Sequence, residues 1–356
     1  MNKSYLPKFI IIVILIVILY QFININIKVL FYFSRNLGDN LNYYLLKDII
    51  GGKVNFYSLN PKKSKPDESM DEINISILNK LAKTNLYFIG STLQTICNWF
   101  YISKNKNLTA KSIISSLYFK IYNIFNPLII FGTGFISNQN YYKESYVRNL
   151  KVVAVRGNET LQRLIKNDVK VPKNVLLADP GILAPFLINI TNVSNLKFEK
   201  KYNLCVVPHY IDKKSKLLTN KIKVNNSIIL DIKTEPNEFL LLLLKCKSVL
   251  SSGLHALIIS DSLGIPNMRM VISDKIIGGD YKFRDYYSSY NISLPDKIDL
   301  RESYFTNIEL EKIKLNYKIS IDKIVQKQCE LLRLFPYRMT MKYKLIKKNL
   351  CDKKRI

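Results

Sequence analysis

The sequence predicts an α/β protein built on parallel sheets in two successive halves, preceded by a membrane-spanning helix. Three observations carry this expectation. Short β-rich runs alternate with helical patterns from Lys28 onward, nearly every run ends in polar or glycine residues, and an unbroken apolar stretch occupies Phe9 to Leu19. Strands that alternate with helices are joined by crossovers, and crossovers leave neighbouring strands parallel.

The apolar stretch comes first in the chain. It extends through residues 9–23 and is short for a bilayer core of about 30 Å at about 1.5 Å per residue. Flanking residues lengthen it, with Lys3, Lys8 and Lys28 placed to snorkel at its ends. No small-residue cleavage site follows, so residues 1–27 read as an uncleaved single-pass anchor. The side of the membrane stays open. The ending Lys353-Lys354-Arg355-Ile356 resembles a cytosolic retrieval signal, whereas sequons at Asn74, Asn107, Asn189, Asn192, Asn225 and Asn291 point to the lumen of the endoplasmic reticulum or Golgi of a eukaryotic cell.

Candidate strands then follow at Val29–Phe33, Tyr87–Ile89, Leu128–Phe131, Val152–Val155, Leu204–Val207, Ile228–Ile232, Val249–Ser251 and Met268–Ile272. Ligands of open α/β sheets sit beyond the carboxyl ends of the strands, where the polar loops lie. Ala178-Asp179-Pro180-Gly181 marks the crossing between halves. The expected divisions are a first domain over 28–174, a second over 175–298, a closing helical segment over 299–336 and a basic tail over 337–356. That tail is expected to be a surface or membrane-facing extension.

Lys and Arg number 54 against 27 Asp and Glu, giving a net charge of +27. Such an excess favours anionic partners. The lysines are scattered singly and no zinc-finger, basic-zipper or RNA-binding motif occurs, so no nucleic-acid partner is expected. The five cysteines are widely spaced and odd in number. They predict neither a zinc ribbon nor a disulfide framework, and Cys205 and Cys246 read as buried thiols. No metal site is expected, because no H-x-H, H-E-x-x-H or paired-aspartate motif is present.

The most informative stretch is Ser251 to Pro266, which reads as a strand end, a small-residue turn, a helix and a Gly-Pro stop. Only two histidines occur in 356 residues, and His255 stands at the start of this helix. Backbone N–H groups at a helix N-terminus attract anions, and a histidine beside them suits a phosphorylated ligand. A cap beside a space-filling histidine is the alternative.

The succession Asn36-Leu37-Gly38-Asp39-Asn40-Leu41-Asn42, Phe131-Gly132-Thr133-Gly134, Val155-Arg156-Gly157, Ala178-Asp179-Pro180-Gly181, Val207-Pro208-His209-Tyr210-Ile211-Asp212 and the Ser251–Pro266 block resembles the polysaccharide pyruvyl transferase family. The likeness runs from Lys28 to about Tyr290. It implies two Rossmann-like domains, similar to GT-B-type glycosyltransferases, with the site in the cleft between them. It also implies transfer of a pyruvyl group from phosphoenolpyruvate, as donor substrate, to a sugar of a glycan or polysaccharide acceptor.

By the same resemblance, Arg156 and His255 are the donor-binding side chains, and His255 is a catalytic candidate as general acid. Gly253 and Leu254 belong to the donor-binding turn. The family pattern carries an arginine where this chain has Gly253, and Lys282 or Arg284 are candidates to replace its charge. Gly132 and Gly134 would let the backbone approach the donor, or simply turn the strand. Asp39 is a catalytic candidate, as the base for an acceptor hydroxyl, although helix capping explains it equally. Asn36 and His209 are the acceptor-binding candidates. For Arg156 the alternative is a structural ion pair with Glu159 or Asp179. Two rival functions stay open: a nucleotide-sugar-dependent glycosyltransferase of the same fold, and a non-catalytic membrane-anchored glycan-binding protein.

Overall fold

The computed structural model describes residues 27–32, 37–52, 54–59, 85–91, 93, 127–138, 149–191 and 198–352. The first sheet contains β1 (Ile27–Tyr32), β2 (Val54–Leu59), β3 (Leu86–Tyr87), β4 (Leu128–Phe131), β5 (Leu150–Val155) and β6 (Leu176–Leu177). Its order is β2-β1-β3-β4-β5-β6, and every pairing is parallel. Helix α1 (Leu37–Ile50) follows β1, and α2 (Asn158–Lys166) follows β5.

The second sheet contains β7 (Leu204–Val207), β9 (Ser227–Ile229), β10 (Val249–Ser251), β11 (Asn267–Val271) and β12 (Lys297–Asp299), in the order β12-β11-β10-β7-β9, again all parallel. A small parallel pair joins β8 (Ile222–Lys223) to β13 (Phe305–Thr306). Between these strands lie α3 (Leu217–Asn220), α4 (Pro236–Leu244), α5 (Leu254–Ser262) and α6 (Tyr281–Ser288). Strands β7 and β10 are buried along their whole length. A parallel strand covered on both faces needs such a continuous apolar run.

All eight predicted strands are present, displaced by a few residues at most. Strands β2, β6, β8, β12 and β13 were not predicted. Four of them are two or three residues long, too short for a period-2 pattern to register. Strand β6 belongs to the first sheet and the second sheet starts at Leu204. The change of sheet therefore follows the Ala178–Gly181 motif rather than position 174.

A 3-10 helix, Pro180–Ile188, carries the chain between the sheets. It packs on α1, α4 and α5, so it forms part of the largest apolar core. That core contains Val29 and Leu86 of the first sheet with Cys205 and Val249 of the second. Helix α5 is buried from Ala256 to Ser262. A helix covered all round must be apolar all round, as this one nearly is.

Helices α7 (Asn307–Asn316) and α8 (Ile321–Leu334) make up most of the predicted closing segment. Helix α7 opens with a capping box between Thr306 and Glu309, and Ser320 caps α8. Gln328 of α8 donates to the Ile182 carbonyl at 2.7 Å, which ties α8 to the crossing between the sheets.

Two expectations need correction. The basic tail is not a surface extension over its described part: α9 (Met341–Asp352) buries Tyr343, Ile346, Leu350 and Cys351. Its apolar residues recur at helical spacing between the lysines, and the lysine density masks that amphipathic stripe. Thr340 and Lys342 fasten the helix to α1 through the Ile49 carbonyl at 2.7 Å and the Asp48 carboxylate at 2.7 Å.

The cysteines do form disulfides, Cys205–Cys246 and Cys329–Cys351, with Cα atoms 5.8 and 5.4 Å apart. The partners lie 41 and 22 residues apart in sequence, so spacing alone could not pair them.

The predicted anchor, 1–27, lies outside the described residues except for Ile27, which opens β1. Lys28 is also a β1 residue, paired with Asn55. Among the described residues no helix is long and apolar enough to cross a membrane.

Candidate functional site

The turn from β10 into α5 is built by small hydroxyl side chains. Ser251 Oγ donates to the Val207 carbonyl at 2.8 Å and accepts the Gly253 N–H at 3.0 Å. Ser252 Oγ accepts the His209 N–H at 2.8 Å. The ends of β7 and β10 are thereby locked together, and the first turn of α5 is held in place with Leu254 buried. Gly253, the N-cap, is extended, and a Cβ there would meet nothing nearer than Ser251 Oγ at 3.7 Å. Packing therefore does not require glycine at the position where the family pattern carries arginine.

His255 occupies the first turn of α5 with its Nε2 buried and, among the described residues, without a hydrogen-bond partner. Its ring lies against the backbone of Gly38 in the first turn of α1, where a Cβ would overlap the imidazole. Two helix starts thus meet at this histidine. Burial, reinforced by Arg156, Lys282 and His209, lowers its pKa to about 3. In the free protein His255 is therefore neutral at pH 7, so its cationic form requires an incoming anion.

His209 is held by its backbone, and its ring lies tilted against Tyr210 with ring centroids 4.4 Å apart. Burial and Lys282 lower its pKa to about 4. Lys282 thus acts on both histidines, and it is the better placed of the two candidates for the missing charge. Arg284 instead pairs with Glu159 at 2.9 Å, with nearly half of its side chain exposed.

Arg156 is enclosed rather than presented to the cleft. Its Nε donates to Asp285 Oδ2 at 2.9 Å, one terminal nitrogen to Ser91 Oγ at 3.0 Å and the other to the Phe135 carbonyl at 2.5 Å. Its side chain has no solvent exposure. Its ion-pair partner is Asp285, neither Glu159 nor Asp179.

Asp285 also accepts the Thr160 N–H at 2.9 Å and the Thr160 hydroxyl at 2.7 Å. The carboxylate therefore caps α2 from the other half of the molecule, in place of a side chain at Gly157. A Cβ on Gly157 would overlap the Asp285 carbonyl, and one on Gly278 would overlap that of Ile136. The halves are packed backbone to backbone along this seam.

The two donor-loop glycines serve the same packing. Gly132 has φ +81 and lies against the Pro180 ring, and a Cβ on Gly134 would stand 2.6 Å from the Arg156 guanidinium carbon. Both positions leave no room for a side chain. Asn36 and the side chain of Asp39 lie outside the described residues; the Asp39 backbone belongs to the first turn of α1.

Asp179 was read from the sequence only as a boundary marker or ion-pair alternative. It is fully buried, its Oδ1 accepts the Gly181 N–H at 2.8 Å, and its Oδ2 has no partner among the described residues. Burial raises its pKa to about 7, against the lowering effects of that hydrogen bond and Arg156. Beyond Ser252 a cavity of about 960 Å³ opens between the halves, lined by Ser137 and Asn138 on one side and Arg269, Tyr281 and Arg301 on the other.

The sequence model of polysaccharide pyruvyl transferases matches residues 36–274, from the start of α1 through β11. The chain belongs to the polysaccharide pyruvyl transferase family. Gly38, Arg156, Asp179, His209 and His255 all fall within the matched stretch, whereas Lys282 and Asp285 lie beyond it. An uncharacterised protein of Acanthamoeba polyphaga mimivirus is 34% identical over 171 residues, which are 46% of this chain and 55% of that protein. The chain thus spans about half the length of the curated relative it matches.

Two solved structures are similar at low identity. A protein of Klebsiella pneumoniae subsp. pneumoniae NTUH-K2044, titled as functionally uncharacterised, has 14% identity and a TM-score of 0.36, covering 82% of this chain and 94% of its own. A variant of the wall teichoic acid polymerase TagF has 12% identity and a TM-score of 0.35, covering 94% and 92%. At those scores neither likeness bears on the activity of this pyruvyl transferase family member.

Proposed function

We propose that the chain is a transferase that moves the pyruvyl group of phosphoenolpyruvate onto hydroxyls of a glycan, working at the start of α5. Family membership supports a glycan-modifying transferase. The observation that carries the finer reading is His255, a neutral imidazole with an unpartnered buried Nε2 where the starts of α1 and α5 converge. A phosphate bound there would meet backbone N–H groups and the Lys282 cation, and its charge would raise His255 toward the protonated state.

Phosphoenolpyruvate gains a proton on its methylene carbon, and positive charge develops at the carbon bearing the phosphate. An acceptor hydroxyl adds there and phosphate leaves. Arg156 contributes by fixing the seam behind the site, not by touching the donor. Asp39 is the candidate base for the acceptor, and Asn36 and His209 are its candidate binding residues. The cavity beyond Ser252 gives the glycan room. Attachment to a membrane through residues 9–23 belongs to the same proposal.

Thermal stabilisation of the full chain by phosphoenolpyruvate, beside UDP- and GDP-sugars, tests the reading. A shift specific to phosphoenolpyruvate and absent from His255→Ala supports it. A nucleotide-sugar shift favours the glycosyltransferase alternative. Glycan binding without any donor shift favours the non-catalytic glycan-binding alternative.

A further inference from the structure

Asp179 is buried and His255 partly so, and each holds one buried polar atom, Oδ2 and Nε2, that lacks a partner among the described residues. Gly181 separates them. A Cβ built on it would stand 3.1 Å from Asp179 Oδ1 and 3.8 Å from His255 Cδ2. The carboxyl and the imidazole therefore flank one residue that has no side chain. An unmatched acid oxygen and an unmatched imidazole nitrogen each cost stability, and a catalytic role is a reason for a protein to keep them.

We propose that Asp179 and His255 form a proton-transfer pair across Gly181, in which Asp179 enters as a carboxylic acid and His255 as a neutral imidazole. The charged and titratable groups around the pair favour this assignment. Burial, aided by Asp285 on α6, raises the Asp179 pKa to about 7 against the lowering effects of the Gly181 N–H and of Arg156 on β5. Its carboxyl therefore holds a proton up to near neutral pH, and Tyr290 also faces it. Arg156, Lys282 and His209 act on His255, and burial adds to all three in keeping it uncharged.

The step rests on the pyruvyl-transfer reading. The Asp179 O–H bond breaks as a C–H bond forms on the methylene carbon of phosphoenolpyruvate. A first acceptor hydroxyl bonds to the adjacent carbon and its proton passes to His255 Nε2, which here takes the place of Asp39 as the acceptor's base. The bond to phosphate then breaks, and His255 returns that proton to the departing phosphate. A second acceptor hydroxyl closes the ketal, and its proton restores Asp179. Two hydroxyl protons are consumed, one in the new methyl group and one on phosphate, and both side chains return to their starting states.

The pair can be tested without any donor, because the chain has only two histidines. In the full chain labelled with 13C at histidine Cε1, two imidazole signals are followed from pH 5.5 to 8.5 and assigned with His209→Gln. The His255 signal should move with a midpoint near pH 7 as Asp179 ionises, and that movement should vanish in Asp179→Asn. The Asn side chain retains an oxygen for the Gly181 N–H. A flat His255 signal in the wild type, or one that still moves in Asp179→Asn, overturns the pair.

Should Asp179→Asn fail to fold, Gly181→Ala replaces it. The added methyl lies between the partners and should at least halve the His255 movement, and an unchanged titration overturns the proposal. With phosphoenolpyruvate and a glycan acceptor, Asp179→Asn should lower kcat by about 100-fold or more, while the donor KM stays within about threefold. Unchanged kcat removes Asp179 from the reaction. If the two groups titrate together but phosphoenolpyruvate is not turned over, the pair stands and the donor reading fails.

Discussion

Arg156 Nε and Asp285 Oδ2 lie 2.9 Å apart with both side chains fully buried, one from each half of the molecule. The same carboxylate caps α2 through Thr160. Removing one partner leaves the other charged and enclosed, which costs about 3–5 kcal/mol. Asp285→Ala should lose that much in urea unfolding, and Arg156→Ala a similar amount. Losses below about 1 kcal/mol, as for an exposed pair, would show that the seam is solvated.

Gly38 and Gly253 flank the same histidine and should respond oppositely. Gly38→Ala drives a methyl into the His255 ring, and overpacking of this kind costs about 1–3 kcal/mol. Gly253→Ser places a better N-cap in open space and should be neutral or stabilising. Melting temperatures of the two variants check the contrast.

The open position at Gly253 also allows the family arginine to be restored. The Cβ of Gly253→Arg would meet nothing nearer than Ser251 Oγ at 3.7 Å. If phosphoenolpyruvate is the donor, one new charge-assisted hydrogen bond of about 1.5–3 kcal/mol should tighten its binding roughly tenfold or more. Isothermal titration reads this directly, and unchanged affinity argues against a donor phosphate at this turn.

Stability should carry two opposing pH slopes. The folded chain holds a proton on Asp179 up to about pH 7, whereas the unfolded carboxyl loses it near 3.8. Folded binds more protons than unfolded across that interval, so this contribution falls as pH rises through it. Asp261, also raised to about 7, has the same sign. His255 and His209, lowered to about 3 and 4 from 6.5, act in reverse, and their contribution is lost as pH falls below 6.5. Asp179→Asn should therefore gain on the wild type as pH rises from 4 to 7. His255→Gln should gain on it as pH falls from 6.5. Melting curves across that range test both signs.

The Cys329–Cys351 disulfide fastens α9 to α8 and closes a loop of 22 residues between positions. Chain-entropy reasoning assigns such a link about 3 kcal/mol. Cys351→Ser should lower stability by that order, with proteolysis starting at the C-terminal helix. Mass measurement with and without reductant verifies the link itself.

The α/β class, eight strand positions, the helix start at His255 and the family were legible in the residues alone, because each rests on local pattern: apolar runs, turn residues and motif order. Tertiary structure decided the rest. Arg156 reads the same in sequence whether it faces a ligand or a carboxylate, and only the fold brings Asp285, 129 residues away, into contact with it. The disulfide partners, the burial of α9 beneath its lysines and the placement of Asp179 beside His255 are likewise non-local. Burial and charge neighbourhood depend on which distant segments come together in the fold, and they set whether each of these polar groups is a weld, a cap or a proton carrier.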